Sequence, residues 1–375
     1  MPTATAPAPS APAPQPQPAS QPAPQPAPPK PGPAAAPAPA AAATPFCLFL
    51  LKQRHEYGGQ SHSNSLFISS RMIVDMLQKN GHPAAIEEAV DQNCVHRFVL
   101  QYKPNVVVIE ALWVTPTKFA ELQKLSPSVK WVVRVNSEVP FLAAEGNSIN
   151  WIYQYLAQGI VVAFNSSSAL ADFQVFSTLR GTQVGTLAWL PNYYPPQKVQ
   201  PPAGHTTHVQ VGCFGAVRQM KNQLLQAFAA VKYGQLKKRP VSFHMNQTKV
   251  EPGSEGIIPA VKDLMNLTGN ELILNPWLGY KEFIQLVQKM DIGLQASFSE
   301  SFNQVAADFV SVGVPCVGSH AVRWLPAISQ VDPGSADSIV AGMLRAGEGM
   351  IAENHKALVQ YTTTSVGVWN TFLGW

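Results

Sequence analysis

Residues 291–319 read D-I-G-L-Q-A-S-F-S-E-S-F-N-Q-V-A-A-D-F-V-S-V-G-V-P-C-V-G-S. The apolar run 292–295 predicts a short strand, and the small residues after it predict a turn. A helix is expected over 303–312, because Gly313 favours its end and the next proline bars its continuation. A second apolar strand, 315–318, follows at once. The stretch therefore predicts a β-α-β unit of a parallel sheet.

Two carboxylates belong to this unit. Glu300 lies in the turn at the carboxyl end of the first strand, where open α/β sheets bind their ligands. Asp308 lies about two helical turns into an apolar helix, where an unpaired charge would be costly. One interpretation makes Glu300 an acceptor for a hexose hydroxyl and Asp308 an acceptor for a ribose. The other makes them a helix-start carboxylate and an exposed helical one.

The same alternation of strands and helices continues through the chain from residue 46. Strands are predicted at 46–51, 84–90, 105–110, 129–135, 160–164, 184–190, 208–214, 241–245, 271–275, 292–295 and 315–318. Helices are predicted between or after them at 63–78, 94–102, 117–125, 150–158, 167–179, 222–231, 256–267, 280–289, 303–312, 336–347 and 351–363. This order predicts an α/β protein with two doubly wound, Rossmann-like domains whose carboxyl strand ends face a cleft.

Five segments follow from this order. Residues 1–44 are nearly all Pro, Ala, Gln, Ser and Thr, so a disordered tether is expected, either a spacer or a dispensable tail. Residues 45–192 form the first domain, which would shape an acceptor site, and the proline-rich segment 193–207 is a linker. Residues 208–350 form the second domain. Residues 351–375 are expected to pack back on the first domain through their tryptophans.

Composition argues against several classes of protein. The net charge of +4 is spread thinly, without the basic excess of a protein held on nucleic acid mainly through phosphate contacts. No apolar run approaches the ~18 residues of a membrane span. The four cysteines lack metal-ligand spacing and no D-x-D motif occurs, so we expect reduced thiols, a cytoplasmic protein and no bound metal. The oligomeric state is not predicted.

Two loops carry features of a phosphate site. Arg218 and Lys221 follow Gly215 between the first strand of the second domain and its helix. Cations and backbone N–H groups at a helix N-terminus can together hold a diphosphate, although such charges are also common on solvated loops. Gly58 and Gly59 lie between the first strand and helix of the other domain, where glycines let a ligand approach the backbone. Cations for a diphosphate and carboxylates for hydroxyls together favour a nucleotide sugar.

These residues resemble the donor site of retaining GT-B glycosyltransferases, especially family 4. The family pattern is E-G-F-G, a second Glu eight positions after the first, and G-x-P-V-V. Here Ser301 and Asn303 replace the two glycines and Asp308 replaces the second Glu, while the carboxylate spacing is kept. The run G-C-F-G-A-V-R-Q-M-K-N, 212–222, is similar to the phosphate loop of the family. The resemblance covers nearly all of 46–375.

The resemblance implies retaining, metal-independent transfer from a nucleoside diphosphate sugar, with a UDP-sugar as co-substrate and no separate cofactor. Catalytic roles would fall to Glu300, Arg218 and Lys221, with the two cations stabilising the leaving diphosphate. Donor contacts would fall to Gly58, Gly59, Gly215, Arg218, Lys221, Ser301, Phe302, Asn303 and Asp308. The family often has a His after the strand that matches 129–135, where this chain reads N-S-E. Contacts to the sugar or the acceptor would therefore fall to His62, Asn136, Ser137 and Glu138.

The acceptor is left open between a glycan, a small molecule and a hydroxymethylated base in DNA, since compact tethered transferases of the last kind occur among phage-like proteins. A DNA base would have to be flipped into the cleft, with the approach lined by Arg54, His55, Arg71, Arg97 and Lys103. A second hypothesis is a nucleotide-sugar-binding module that keeps the fold without transfer, because Ser301 and Asn303 replace glycines of the signature.

Overall fold

The structure, a computed structural model, describes residues 45–53, 65–179, 182–183, 185–195 and 207–374. The predicted tether 1–44 and residues 196–206 of the predicted linker lie outside these ranges. Two parallel six-stranded sheets with helices around them build the described part of residues 44–375. No helix in the described ranges is both long and apolar enough to cross a membrane.

The first sheet contains strands from the first half of the chain. These are β1 (Cys47–Lys52), β2 (Ala84–Ala89), β3 (Val106–Glu110), β4 (Lys130–Val135), β5 (Val161–Phe164) and β8 (Thr186–Trp189), and a small hairpin of β6 (Thr178–Leu179) and β7 (Thr182–Gln183) lies outside the sheet. The order is β2-β1-β3-β4-β5-β8 and neighbouring strands are parallel. The strand order reverses between β1 and β3. Strands β1 and β3 are continuous apolar runs because both faces of the sheet are covered.

The second sheet is also parallel and six-stranded, but its strand order differs. Its strands are β9 (Val209–Gly212), β10 (Val241–Asn246), β11 (Glu271–Asn275), β12 (Ile292–Gln295), β13 (Cys316–Ser319) and β14 (Gln330–Val331). The order β11-β10-β9-β12-β13-β14 is that of a dinucleotide-binding Rossmann sheet, and neighbouring strands are again parallel. Its order reverses between β9 and β12, so the loops after these two strands flank a crevice.

The helices lie on the faces of the sheets and connect the strands. They are α1 (Ser65–Lys79), α2 (Val95–Tyr102), α3 (Pro116–Leu125), α4 (Val139–Leu142), α5 (Ser148–Ala157), α6 (Ser167–Phe173), α7 (Gln223–Lys237), α8 (Ile257–Leu267), α9 (Tyr280–Val287), α10 (Gln304–Ser311), α11 (Ala336–Leu344) and α12 (Glu348–Leu373). The β-α-β unit predicted from residues 291–319 is present as β12, α10 and β13. Its close packing requires Gly293, because a Cβ there would lie 2.5 Å from the ring of Phe309 on α10.

Several predicted elements differ from the structure at their ends. The helix expected over 167–179 ends at Phe173, and a 3-10 turn and strand β6 take its remaining length. The helix expected over 222–231 continues to Lys237. Residues 351–363, expected to be one helix, belong to a 26-residue helix that runs to Leu373. Cys213 lies one residue beyond its strand, and the four cysteines are free.

Helix α12 packs against both halves of the chain. Its Leu358 belongs to an apolar cluster with Tyr194 and residues of α10, while its Trp369 belongs to the first-domain cluster around β1. The Trp369 ring is fully buried 5.6 Å from that of Phe49, and its indole N–H donates to the carbonyl of Pro191. The C-terminal part of α12 therefore belongs to the first-domain core, with Trp369 as its anchor. Trp375 lies outside the described residues.

Candidate active site at the sheet ends

The carboxyl ends of the strands of both sheets meet at a cleft of about 330 Å³. The first domain contributes Ala111 after β3, Asn136 after β4, Asn165 after β5 and Asn192 after β8. The second contributes Gly215 after β9, Asn246 at the end of β10, Trp277 after β11 and Glu300 after β12. The loops after β9 and β12 flank the point where the order of the second sheet reverses, which is where open α/β sheets bind ligands.

The loop after β9 is shaped by glycine. Gly215 has φ of +123°, a value that favours glycine, and a Cβ there would meet the Lys221 side chain at 3.5 Å. Its N–H donates to the side chain of Asn246 at 2.8 Å. The chain then forms a 3-10 turn, Gln219–Lys221, before α7 begins at Gln223. The loop thus brings Lys221 under Gly215, just ahead of the N-terminus of α7.

Lys221 and Glu300 form a buried ion pair that joins the two loops. The Lys221 Nζ lies 2.5 Å from the Glu300 Oε1, and the side chains are 10% and 6% exposed. Gln226 holds the two loops together, since its amide donates to the Lys221 carbonyl at 2.7 Å and accepts the Ala296 N–H at 2.8 Å. The ammonium has three donors and Glu300 takes one of them, so Lys221 retains capacity for a ligand anion.

Arg218 is held from both domains. Its Nη1 lies 3.3 Å from Glu251 Oε1, and its guanidinium lies over the ring of Phe141, at 4.6 Å, in the first domain. Its Nε is buried without a hydrogen-bond partner in the described residues. Arg218 therefore keeps an unused buried donor beside Lys221, and both residues line the cleft.

Asp308 is buried beneath this site on α10. Its Oδ1 accepts hydrogen bonds from Tyr194 at 2.9 Å, Tyr280 at 3.3 Å and Gln304 at 3.3 Å. Burial raises the pKa of Asp308 to about 7, and these three neutral donors only partly offset that effect. Asp308 and Tyr280 both line the cleft. The ribose contact predicted for Asp308 stays a prediction, because lining the cleft does not show which group of a ligand it would meet.

The polar residues after β4 have partners of their own. The Asn136 amide donates to Glu110 Oε2 at 2.7 Å and accepts from Arg134 at 3.2 Å, so its side chain is committed to the first-domain core. Ser137 lines the cleft and donates to Glu145. Glu138 accepts from Ser168 and does not line the cleft.

The two residues that replace signature glycines have separate roles. Asn303 has φ of +63°, a left-handed conformation that asparagine tolerates. Its side chain also caps α10 by accepting the Ala306 N–H at 2.9 Å and donates to Gln295 at 2.9 Å. Ser301 instead uses its hydroxyl, which contacts Asn165 and the Asn136 carbonyl of the first domain. Phe302, between them, is buried against Trp324 and Tyr361.

Some residues of the cleft were missed by the sequence analysis. Trp277 lines the cleft, with the Lys249 Nζ 4.7 Å from the centre of its ring. The available signal was the order of residues 271–278, E-L-I-L-N-P-W-L, which places Trp277 two residues past a predicted strand. Asn165 and Gln226 had no comparable signal. Gly58, Gly59 and His62 lie outside the described residues, as do Arg54 and His55. Within the described ranges no three His, Cys, Asp or Glu side chains are grouped as metal ligands.

Comparison with solved structures identifies the architecture. A UDP-forming trehalose-phosphate synthase from Burkholderia vietnamiensis matches with a TM-score of 0.62 at 11% identity, over 88% of this chain and 96% of that one. Sucrose-phosphate synthase from Thermosynechococcus elongatus matches with 0.59 at 11%, over 87% and 96%. The N-terminal domain of a Candida albicans trehalose-6-phosphate phosphatase matches with 0.62 at 9%, over 88% and 96%. The chain has the GT-B fold.

The GT-B fold confirms the predicted class, two Rossmann-like domains around a cleft. The sequence itself matches no protein-family model and no curated protein. At 9–11% identity the similarity concerns architecture. Of the three structures named above, one carries the name of a phosphatase, so the shared fold does not by itself set the activity of this chain.

Proposed function

We propose that the chain is a retaining glycosyltransferase that moves a sugar from a nucleoside diphosphate sugar to a hydroxyl acceptor in the cleft. The observation that carries the proposal is the buried Lys221–Glu300 pair at the reversal point of the second sheet, with the unused donor of Arg218 beside it. This arrangement puts cations for a diphosphate within reach of a carboxylate for sugar hydroxyls.

The donor would lie along the second-domain wall. Its diphosphate would contact Lys221 and Arg218 close to the N-terminus of α7, where the helix dipole favours an anion. Glu300 would then accept hydroxyls of the sugar, and the indole of Trp277 offers a flat surface for the nucleobase. A UDP-sugar is the donor we favour, because one similar structure is a UDP-forming synthase and another is described as bound with UDP-2-fluoro glucose.

The reaction would proceed on one face of the sugar. The bond between the anomeric carbon and the β-phosphate oxygen breaks, and the acceptor oxygen forms the new bond on the same face. The acceptor proton passes to the departing diphosphate, so no protein base is needed. Lys221 and Arg218 stabilise the charge that develops on the leaving group, which is the largest contribution the protein makes. We also propose that no metal takes part in the reaction. An unchanged rate of sugar transfer in the presence of EDTA would support this.

The acceptor would bind between the donor sugar and the first-domain wall. The matched synthases are named for phosphorylated sugar products, so a sugar phosphate joins the glycan and small-molecule acceptors as a class to test. Hydroxymethylated DNA is tested as an acceptor beside these classes, although the matched structures give it no support. Arg71, one of the residues assigned to a DNA approach, is engaged with Asp75 on the exposed face of α1.

The test is donor binding followed by turnover. Calorimetry with UDP and mass spectrometry of UDP-, GDP- and ADP-sugars incubated with sugars, sugar phosphates, glycans and hydroxymethylated DNA would identify the reaction. Glu300→Gln keeps the size of the side chain but loses its charge, and we expect at least about a hundredfold loss of turnover with unchanged secondary structure. Asp337→Asn, on an exposed ion pair of α11, is the matched control.

The non-catalytic alternative gives a different result in the same experiment. A binding module would hold UDP with a Lys221-dependent affinity but release no sugar to water or to any acceptor. Turnover of a nucleotide sugar would exclude it. Absence of UDP binding to the unmodified chain would overturn both functions.

A further inference from the structure

The hydroxyl of Ser301, in the loop after β12, makes two hydrogen bonds to the first domain. The Ser301 Oγ donates to the backbone carbonyl of Asn136 at 3.0 Å and accepts a hydrogen bond from the Asn165 amide at 3.0 Å. The one donor of the hydroxyl and one of its two acceptor lone pairs are therefore used across the cleft. Ser301 directly follows Glu300, the residue paired with Lys221.

The two first-domain partners are themselves fixed by a buried network. Asn165 also donates to Asn192 Oδ1 at 3.2 Å, and that oxygen accepts from Arg134 at 2.5 Å. Since Asn192 presents an acceptor, the NH₂ group of Asn165 has to face it, which fixes the amide orientation. Asn136 is held by Glu110 at 2.7 Å. The hydroxyl of Ser301 thus binds to a rigid part of the first-domain core.

The backbone gives no reason for a special residue at this position. Ser301 is not among the described residues with positive φ, in contrast to Asn303 two residues later. A glycine would therefore fit at position 301 without strain, but it would lack both hydrogen bonds. What serine adds is the pair of hydrogen bonds to Asn165 and to the Asn136 carbonyl of the first domain.

We propose that Ser301 is a positioning residue, a polar latch that holds the cleft closed and sets Glu300 in register with the acceptor wall. The inference rests on the proposed function for its effect on catalysis, but the latch itself is a structural claim. Loss of the latch would lower the population of the closed state. Ligands that need both walls would then bind more weakly, in proportion to that population, while a ligand of the second domain alone would not.

The experiment compares Ser301→Gly with Ser301→Thr and Ser299→Gly. Thr restores a hydroxyl. Ser299 lies in the same turn and makes no side-chain hydrogen bond in the described residues, so its glycine variant reports the effect of added backbone freedom alone. We expect Ser301→Gly to lower kcat/KM for UDP-glucose turnover by about tenfold, the effect of losing one or two hydrogen bonds. The Kd for UDP should stay within about twofold, and Ser301→Thr should recover most of the loss.

Hydrogen–deuterium exchange supplies a readout that does not depend on activity. In Ser301→Gly, exchange should rise in the turn 296–303 and also in the first-domain segment 162–168, across the cleft. In Ser299→Gly it should rise in the turn alone. Equal exchange in 162–168 for the two glycine variants would overturn the latch, whether or not the chain transfers sugar. If exchange in 162–168 rises in Ser301→Gly as expected but the unmodified chain does not bind UDP, the proposed function is overturned and the latch stands.

A double-mutant cycle tests the partner directly. Asn165→Ala removes the amide that donates to Ser301, and the double variant with Ser301→Gly should lose little more kcat/KM than either single variant. Independent, multiplying losses would show that the two residues do not act through one contact, and would overturn the proposed pairing.

Discussion

Each half of the molecule contains a buried pair of a glutamate and a cation, and the two pairs differ in how completely they are closed. In the first domain, Arg134 and Glu110 are both fully buried. The guanidinium of Arg134 donates to both Glu110 oxygens, to Asn136, to Asn192 and to the Leu190 carbonyl. In the second domain, the ammonium of Lys221 has one hydrogen bond within the described residues, to Glu300, and both side chains reach the cleft.

The number of free donors distinguishes a cation that holds the fold together from one that can bind a ligand. All three nitrogens of the Arg134 guanidinium are hydrogen-bonded and the side chain is fully buried, so a ligand does not reach it and the first pair holds strand ends and the exit from the first domain. A lysine with free donors at the edge of a cleft can exchange or share its carboxylate partner with a phosphate. Burial of a charge alone does not identify a functional residue, whereas a buried charge with incomplete partners beside a cleft is a candidate for one.

Breaking the closed pair should have the largest effect on stability. Arg134→Met leaves Glu110 charged, buried and without a cation, so we expect unfolding to become easier by about 3–5 kcal/mol. Urea unfolding followed by circular dichroism measures it. The control is Arg71→Met, which breaks an exposed pair on α1 and should cost less than about 1 kcal/mol. Similar costs for the two variants would mean that the Arg134 network contributes little.

Breaking the open pair should act on activity instead. Lys221→Met removes the cation nearest Glu300, and we expect kcat/KM for nucleotide-sugar turnover to fall by about a hundred- to a thousandfold. The loss of stability should be smaller than for Arg134→Met, because water can reach Glu300 from the cleft. Lys232→Met, on an exposed pair of α7, is the matched control and should keep full activity. Wild-type turnover in Lys221→Met would show that this pair is structural too.

Asp308 extends the comparison to a buried carboxylate whose partners are all neutral. Its pKa is raised from 3.8 to about 7, so between these values the folded state keeps a proton that the unfolded state has lost. Stability should therefore fall as pH rises from about 4 to about 7, by at most about 1.4 kcal/mol per pH unit, and then level off. Asp308→Asn keeps the acceptor for Tyr194 and Tyr280 but cannot ionise. Its free energy of unfolding relative to that of the wild type should therefore increase as pH rises from about 4 to about 7.

The measurement is urea unfolding of both proteins at pH 4, 5.5, 7 and 8. Asp337→Asn, on the exposed pair with Lys232, serves as the control substitution. A constant difference between wild type and Asp308→Asn across the series would show that Asp308 is not held protonated by the fold.

Of the twelve strands in the two described sheets, eleven were predicted from the sequence, most of them because they are short apolar runs between turn residues, whereas the two-residue strand β14 was not predicted. The strands predicted at 105–110 and 129–135 are Val106–Glu110 and Lys130–Val135 in the structure. Helix α12 was harder, because its buried face includes Asn354, Thr362 and Ser365. These polar residues bind partners on other segments or on the preceding helical turn, so hydrophobic periodicity misses them.

The residues of the site divide in the same way. Gly215, Arg218, Lys221 and Glu300 could be found from the sequence, since loops after parallel strands gather at one edge of a sheet. Asn136 lines the cleft and its amide is engaged by Glu110, and the sugar contact predicted for it stays a prediction. Asn165 was overlooked because nothing local distinguishes one asparagine after a strand from another.

The sequence by itself determined the alternation of strands and helices, and with it two parallel sheets and the edge at which polar loops meet. It also determined the eight-residue spacing of Glu300 and Asp308, because both lie within one β-α-β unit. Only the tertiary structure decided the partners of these groups and the raised pKa of Asp308. Asn165 and Ser301 are 136 positions apart, and Lys221 and Glu300 are 79 apart. The first pair forms where the two sheets meet, and the second forms where the loops after β9 and β12 of one sheet come together. Burial at these places sets which polar atoms still need a ligand.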